Sequence, residues 1–594
     1  MNAAAPPRTD TRLHRVTTLD EALDALEALG SARWVGLDTE TRPMGTGTAR
    51  YKPGLDPRLS AVRLVQLGTA TEAYVLDTAR VDPTPWLWWL RAHADRIIVQ
   101  NGRFDLAHLQ QAGLFVPRVW DVMIADQLLR PGERGGSGLG DLSRRYLGED
   151  LDKGLQGSDW SGELTDEQWE YAGRDVTVLP RLREVLERKV RAQGMGRIAE
   201  VEFRAVPAFA MLSRTGFVLD LDRWHELTVE AEMELSEVER ELHAMLPGPP
   251  RQATLFGEDE AGVNLLSPAQ VQKALSSLGI EVASTDEHHL KALEHPVGGF
   301  LLRQRELATR LKMCYRPMPD YVHPLTGRVH AEYWQMAAAS GRTASSNPNM
   351  QQVPREKEIR ACFGVAPANA LVVADYGQIE LRIVAEESGD PRMLDAFRQG
   401  VDIHRQTAAL VTGKEPGSVS KEERQMAKAV NFGLVYGMGA AGLVAYAHDA
   451  YGVTLDQAEA ETFRRRYFEA YPKVQEWHHR QLWRAKKRGG VRTLAGRWRP
   501  LSESSVTKAT NSPTQGTGAD ILKAALGAMA PVTFARGWKI VSEVHDEISL
   551  EVPEDEAGDA QAFLTKAMVA AGERFLHHVP VEAEASLGRT WAEK

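Results

Sequence analysis

Two sets of carboxylates stand at the ends of apolar runs. In "GLDTET", Asp38 and Glu40 lie two apart at the end of a strand-like stretch, so both project from one face. Asp105 follows a second apolar run, in "RIIVQNGRFDLAHL". Tyr171 and Asp175 lie four apart in "YAGRDVTV", on one side of a helix. Four carboxylates at one sheet edge repel one another and need cations to stay ionised together. Hard divalent ions with oxygen ligands meet that need. Two such ions can activate a water and stabilise the leaving oxygen at a phosphodiester. Each motif alone also fits an ordinary surface strand end. Three in order within one α/β stretch make the stronger case.

The second set begins with "VSEVHDEISLEVPE", residues 541–554, whose flanks alternate like a strand pair while His545, Asp546 and Glu547 sit at the bend. "ALVVADYGQIELRIVA" supplies a partner, since its apolar strand ends in Asp375. Two strand-end aspartates suit a pair of Mg²⁺ ions bridging nucleotide phosphates. Between them, in "RQMAKAVNFGLVYG", Arg424, Lys428, Phe432 and Tyr436 recur every four residues and form one stripe on a helix. Two cations followed by two aromatics suit a triphosphate at one end and a base at the other. The competing reading is an amphipathic helix with snorkelling cations.

The elements that must hold these residues can be read coarsely. The 594 residues are too many for one core and point to three or four domains. Residues 34–185 alternate strand-like and helical periodicity. Residues 200–315 are mostly helical, broken by the loop-like "LPGPPRQATLFGEDEAG". Residues 328–594 mix strands with long helices. Two cysteines, Cys314 and Cys362, exclude a disulfide scaffold and suggest a reducing compartment. The N-terminus has no apolar signal core, and "WLWWL" is too short to span a bilayer. A soluble cytoplasmic protein is expected. The net charge of −10 argues against nucleic acid only until its distribution is read. From Arg480 to Pro500 the chain carries eight Lys or Arg and no acid.

The first set resembles the DEDD family of 3′–5′ exonucleases, in the subgroup with tyrosine in the third motif. The resemblance implies a ribonuclease H-like domain in which Asp38, Glu40, Asp105 and Asp175 bind metal and Tyr171 orients the attacking water. "LDKGLQGSDWSGELTDEQWEYAGRDV" looks especially like ribonuclease D, which brings RNA into play as a substrate. "DYGQIELR", "RQMAKAVNFGLVYG" and "VHDE" resemble motifs A, B and C of family A DNA polymerases, and the likeness runs from about residue 30 to the C-terminus. It includes "ASGRTASSNPNMQQVP", "DIHRQTA" and "NSPTQGTGAD".

What the family implies is an α/β multidomain chain, with the exonuclease domain followed by a right-hand polymerase. Residues 1–30 would be an N-terminal extension, 31–195 the exonuclease, and 196–594 the polymerase. Within the last, the thumb would span about 200–315, the palm about 320–400 and 500–594, and the fingers about 400–500. Asp375, Asp546 and the backbone carbonyl of Tyr376 would hold Mg²⁺, with Mn²⁺ as an alternative. Lys428, Arg424 and His404 would contact the triphosphate. Phe432 and Tyr436 would pack around the incoming sugar and base, and Glu380 matches the steric gate against a 2′-hydroxyl. Arg342, Asn511, Gln515 and His545 would contact primer–template near the new pair, and Arg497 and Arg499 the template backbone. The role of Glu547 stays open. The partners implied are primer–template DNA and deoxynucleoside triphosphates, the working unit a monomer. Its place would be the cytoplasm and nucleoid, or a host cytoplasm for a phage gene.

Gly377 stands where serine is usual and Ser340 where threonine is usual, small changes expected to tune fidelity. With about thirty residues before the exonuclease motifs, the family's optional 5′ nuclease domain is expected to be missing. "RQATLFGEDE" places Gln252, Leu255 and Phe256 in a pattern resembling sliding-clamp-binding peptides; the favoured reading is a loop packing its own Leu-Phe pair onto the thumb. A nuclease devoted to RNA processing and a non-catalytic nucleic-acid scaffold are the rival functions. Intact Asp375, Lys428 and Asp546 argue against both.

Overall fold

The computed structural model describes residues 11–593 except 134, 152–153, 156, 247–252, 255–256, 259–261 and 502–504. Gln252, Leu255 and Phe256 of the clamp-like peptide therefore lie outside the described residues. Among the described residues no helix is long and apolar enough to cross a membrane.

The N-terminal domain is built on strands β1 (Arg12–Val16), β2 (Val35–Pro43), β3 (Ser60–Gly68), β4 (Glu72–Asp77), β5 (Ile97–Val99) and β6 (Trp120–Asp121). They form one sheet in the order β1-β4-β3-β2-β5-β6. This corrects the reading of residues 1–30 as an extension. β1 pairs in parallel with β4, from Arg12 opposite Glu72 to Val16 opposite Leu76. Helix α1 (Leu19–Gly30) follows, capped by Thr18 and Glu21, and buries Ala22, Ala25 and Leu29. "RLHRV" escaped notice because an edge strand carries polar side chains that mask the apolar alternation.

Gly36 of β2 and Gly68 of β3 face each other across the ladder. A Cβ on Gly36 would come 2.3 Å from the Val176 carbonyl oxygen, and one on Gly68 would come 2.7 Å from a Val176 methyl. The missing side chains seat the Asp166–Ala192 helix against the sheet. That close approach carries Tyr171 and Asp175 to the strand bearing Asp38 and Glu40.

The helix Gly196–Arg214 lies between the N-terminal sheet and the C-terminal part of the chain. It packs on the Gly102–Gln111 helix on one side and on the 30-residue Val506–Ala535 helix on the other. The helix Leu221–Met245, further along, packs against Pro296–Arg310.

The palm sheet holds β7 (Asn369–Tyr376), β8 (Lys539–Val544), β9 (Glu547–Pro553) and β10 (Ala583–Gly588), all antiparallel in the order β8-β9-β7-β10. One apolar core runs without a break through the N-terminal sheet, the Leu221–Met245 and Pro296–Arg310 helices and the Asn369–Tyr376 sheet. Phe115 stacks on Phe534 across the join, with centroids 5.0 Å apart. A second core joins Val430, Leu434, Tyr467 and Trp477 to Leu381 and Val384 of the Ile379–Ser388 helix. The hairpin of Gly490–Arg492 and Trp498–Pro500, read as the end of the fingers, packs on the Val506–Ala535 helix.

Candidate active sites

Asp375 is the next-to-last residue of β7, and Asp546 occupies the two-residue turn between β8 and β9. His545 makes that turn by adopting a left-handed φ of 63°. The turn closes with the Asp546 amide donating to the Val544 carbonyl at 2.8 Å. The Tyr376 amide then donates to the Asp546 carbonyl at 3.2 Å. The two aspartates are thereby fixed at the same end of one sheet, both half-buried. Glu547 sits opposite Asp375 in the ladder and is buried, accepting from Trp591 Nε1 at 2.6 Å and lying 3.9 Å from Arg360. Sequence reasoning missed Arg360. Burial lowers its pKa, and the charges of Glu547 and Asp375 oppose that shift. Its partners lie far off in the chain, so local spacing gave no signal.

The Lys421–Val435 helix begins with a Ser420/Glu423 capping box and ends at Tyr436. Arg424 bonds Asp402 at 2.6 Å, and Asp402 caps the Ile403–Thr412 helix through the amides of His404 and Arg405. His404 is less accessible than a phosphate contact requires. It is 1 % exposed, and its Nδ1 accepts from Asn431 Nδ2 at 3.0 Å. Burial pushes its pKa down to about 4, so at neutral pH it is an uncharged ring set 5.8 Å from Phe432. Asn431, also missed, holds that ring and is itself held by Thr407 at 3.0 Å.

Glu380, in the first turn of the Ile379–Ser388 helix, is gripped from two sides. It accepts from Arg342 at 3.0 Å and from the Tyr436 hydroxyl. Burial raises its pKa and the Arg342 charge opposes that shift. Three residues singled out for different reasons thus form one contact between fingers and palm. A cleft lined by Gln378, Arg382, Asp402, Arg424 and Glu582 runs between the two. Asn511 and Gln515 lie one turn apart on the Val506–Ala535 helix, half-buried, and His545 is exposed.

Arg499 donates to Ser512 at 2.6 Å, and burial lowers its pKa. Arg497 does not reach a template. It is 2 % exposed and ion-paired to Asp520 and Glu202 inside the protein. A basic run gives composition, and the direction of each side chain depends on the fold.

In the exonuclease domain, burial and then the charges of Asp175, Glu40 and Asp38 drive the Tyr171 phenol far up. These four residues therefore share one electrostatic environment. Asp105 is placed differently. It is 2 % exposed and accepts from the hydroxyl of Thr39, the residue between Asp38 and Glu40, at 2.7 Å. Burial pushes its pKa up to about 7. Asp121, missed in the sequence, lies behind it. It accepts from the amides of Gly102, Met123 and Ile124, and burial pushes it to about 6.

A sheet end with two aspartates, joined by a cationic helix across a cleft, is suited to moving nucleotides on a nucleic-acid strand. The class so defined is a right-hand polymerase joined to a carboxylate nuclease. A profile for "DNA polymerase family A" matches residues 225–593, and one for "3'-5' exonuclease" matches 13–191. "DNA polymerase I" of Aquifex aeolicus (strain VF5) is 35 % identical over 602 aligned positions, covering 96 % of this chain and 97 % of that protein. "DNA polymerase I, thermostable" of Thermus filiformis is 34 % identical over 82 % of this chain, which spans 57 % of that longer relative. The solved "POL domain of Pol1 from M. smegmatis complex with DNA primer-template and dNTP" shares the fold, with a TM-score of 0.80 over 98 % of this chain and 99 % of that one at 24 % identity. The chain belongs to DNA polymerase family A, as a DNA-directed DNA polymerase with a 3′–5′ exonuclease domain.

Proposed function

We propose that Asp375 and Asp546 hold two Mg²⁺ ions at the polymerising site, with the Tyr376 carbonyl as a further ligand, and that Asp38, Glu40, Asp105 and Asp175 hold a second pair at the proofreading site. The donor sets fit: all are hard oxygens. Asp105, raised to about 7 by burial, is a carboxyl that a nearby dication would return to its charged form. When bound, such ions lower the pKa of the attacking oxygen and neutralise charge on the leaving one.

The protein's own groups do the rest. Arg424 and Lys428 orient the triphosphate and stabilise the departing pyrophosphate. Phe432 packs on the incoming sugar, and Tyr436 must leave Glu380 before a base can stack beside the primer end. Arg342, Asn511, Gln515 and His545 face the primer–template, and the exposed residues Arg484, Lys486, Lys487 and Arg488 supply the backbone contacts first given to Arg497. At the other site Tyr171 orients the water that attacks the terminal phosphodiester. The substrates are primer–template DNA and deoxynucleoside triphosphates, and the working unit is a monomer.

One observation carries this reading: the amide-to-carbonyl bond that fixes Asp375 beside Asp546. The test is a separation of activities. Asp375→Ala should abolish primer extension and leave 3′–5′ degradation, while Asp38→Ala with Glu40→Ala should do the reverse. Loss of both activities from a folded variant would refute two independent sites.

A further inference from the structure

Four charged side chains lie in the interior with no task yet assigned. Glu202, Asp520 and Lys523 are 0 % exposed and Arg497 is 2 % exposed. Their charges cancel. Arg497 donates through Nε at 2.9 Å and Nη2 at 2.7 Å to one oxygen of Asp520, and it also pairs with Glu202. Thr493 donates to the other Asp520 oxygen at 2.7 Å. Lys523 donates to Glu202 at 2.7 Å. Apolar groups of similar volume commonly stabilise a core as well as buried ion pairs do. Stability alone therefore gives no reason for this cluster.

The cluster's other bonds all run to one loop. Lys523 donates to the Gly341 carbonyl at 2.7 Å. Arg497 Nη1 lies 3.0 Å from Met336 Sδ, and Gln335 donates to the Glu202 carboxylate at 2.5 Å and to its carbonyl at 2.8 Å. Gly341 has a φ of 88°, and a Cβ there would meet Arg497 Nε at 2.3 Å. On the far side, a Cβ on Gly516 would meet the Ser340 carbonyl at 2.7 Å. The loop is thus held at both ends and pressed flat. The next residue is Arg342, which grips Glu380.

We propose that Glu202, Arg497, Asp520 and Lys523 are positioning residues for the 335–342 loop: they set the reach of Arg342 to Glu380 and thereby the discrimination against a ribose 2′-hydroxyl. This rests on Glu380 being the sugar gate. The charges hold a polar, close-packed loop by directed bonds, where apolar contacts would let it slide.

The test uses the full chain and the ratio of kcat/KM for deoxyribonucleotide over ribonucleotide. Lys523→Met alone leaves two buried carboxylates, Glu202 and Asp520, sharing the single cation Arg497, and can fail to fold. The charge-neutral pair Glu202→Gln with Lys523→Met removes one charge of each sign and keeps the volume. Thermal melting and 3′–5′ degradation of a single strand report its folding. The expected result is parental degradation with the sugar ratio lowered about tenfold, the worth of one well-made hydrogen bond. Lys523→Arg, which keeps a donor for the Gly341 carbonyl, should retain more of the ratio than Lys523→Met. An unchanged ratio in the folded double variant, with Glu380→Ala lowering it, overturns the inference and leaves the gate standing. If Glu380→Ala leaves the ratio unchanged, the gate reading fails and the inference falls with it. A collapsed melt with both activities lost in the neutral pair would reduce the cluster to a structural brace and also overturn it.

Discussion

Glu380 meets a cation from one side and a phenol from the other, so the carboxylate proposed as the sugar gate has little freedom to move. A 2′-hydroxyl arriving there would clash or be buried unpaired. Glu380→Ala should therefore raise ribonucleotide incorporation relative to deoxyribonucleotides, read as the ratio of kcat/KM. Phe432 lies one helical turn beyond Lys428 and offers no hydrogen bond. A normal substrate can bond its own 3′-hydroxyl to its phosphates, and a dideoxynucleotide cannot. The hydroxyl added in Phe432→Tyr can replace it with little change in volume. A hydrogen bond to a charged phosphate is worth about 1.5–3 kcal/mol, or roughly tenfold to a hundredfold in rate. Discrimination against dideoxynucleotides should narrow by that order with normal extension nearly intact. An unchanged kcat/KM ratio would place Phe432 away from the sugar.

The palm strands depend on a charge that the sequence did not single out. Glu551 of β9 is 1 % exposed and accepts from Arg328 at 2.5 and 2.7 Å, from Asn369 at 2.6 Å and from Lys539 at 2.9 Å. Burial alone would raise its pKa, but the bonds and charge of Arg328 and then Lys539 outweigh that and bring it down from 4.5 to about 2. A depressed carboxylate contributes stability above its unfolded pKa and loses it as pH falls through the folded one. Roughly 3 kcal/mol should vanish between about pH 4.5 and 2. Glu551→Gln should flatten that part of the stability–pH curve, measured by denaturant unfolding; a curve of unchanged slope would refute the assignment. In the other domain, Gly36→Ala should force the Asp166–Ala192 helix off β2, cutting 3′–5′ degradation at least tenfold while extension continues. Retained degradation would mean that the helix tolerates the shift. Such elements divide by how much of their logic is local. Asp38 and Glu40, or the Arg424–Tyr436 stripe, were legible because period and motif lie within one segment. Arg360 and Asn431 were not, since each acts through residues tens or hundreds of positions away; Asp121 reads locally as an ordinary helix cap, and only the fold puts Asp105 beside it. Arg497 was misread because its partners Glu202 and Asp520 come from other helices.

At the scale of the molecule, exonuclease, thumb and palm share one core, while the fingers pack around a second one that takes in Leu381, Val384 and Ala385 of the Ile379–Ser388 helix. Phe115→Ala, which removes one ring of the stack across the join, should cost about 3 kcal/mol. It should lower the melting of both the exonuclease and the palm in step; two separated transitions in calorimetry would show that the domains fold alone. The shared core has a consequence for descent. An editing domain whose floor is also the wall of the copying domain cannot be discarded as a cassette, because its removal would bare the faces of Phe203 and Phe534 to water. A lineage that gave up editing would keep the whole domain as a mute scaffold. The loss would be recorded in a few changed carboxylates, and the gene would stay the same length.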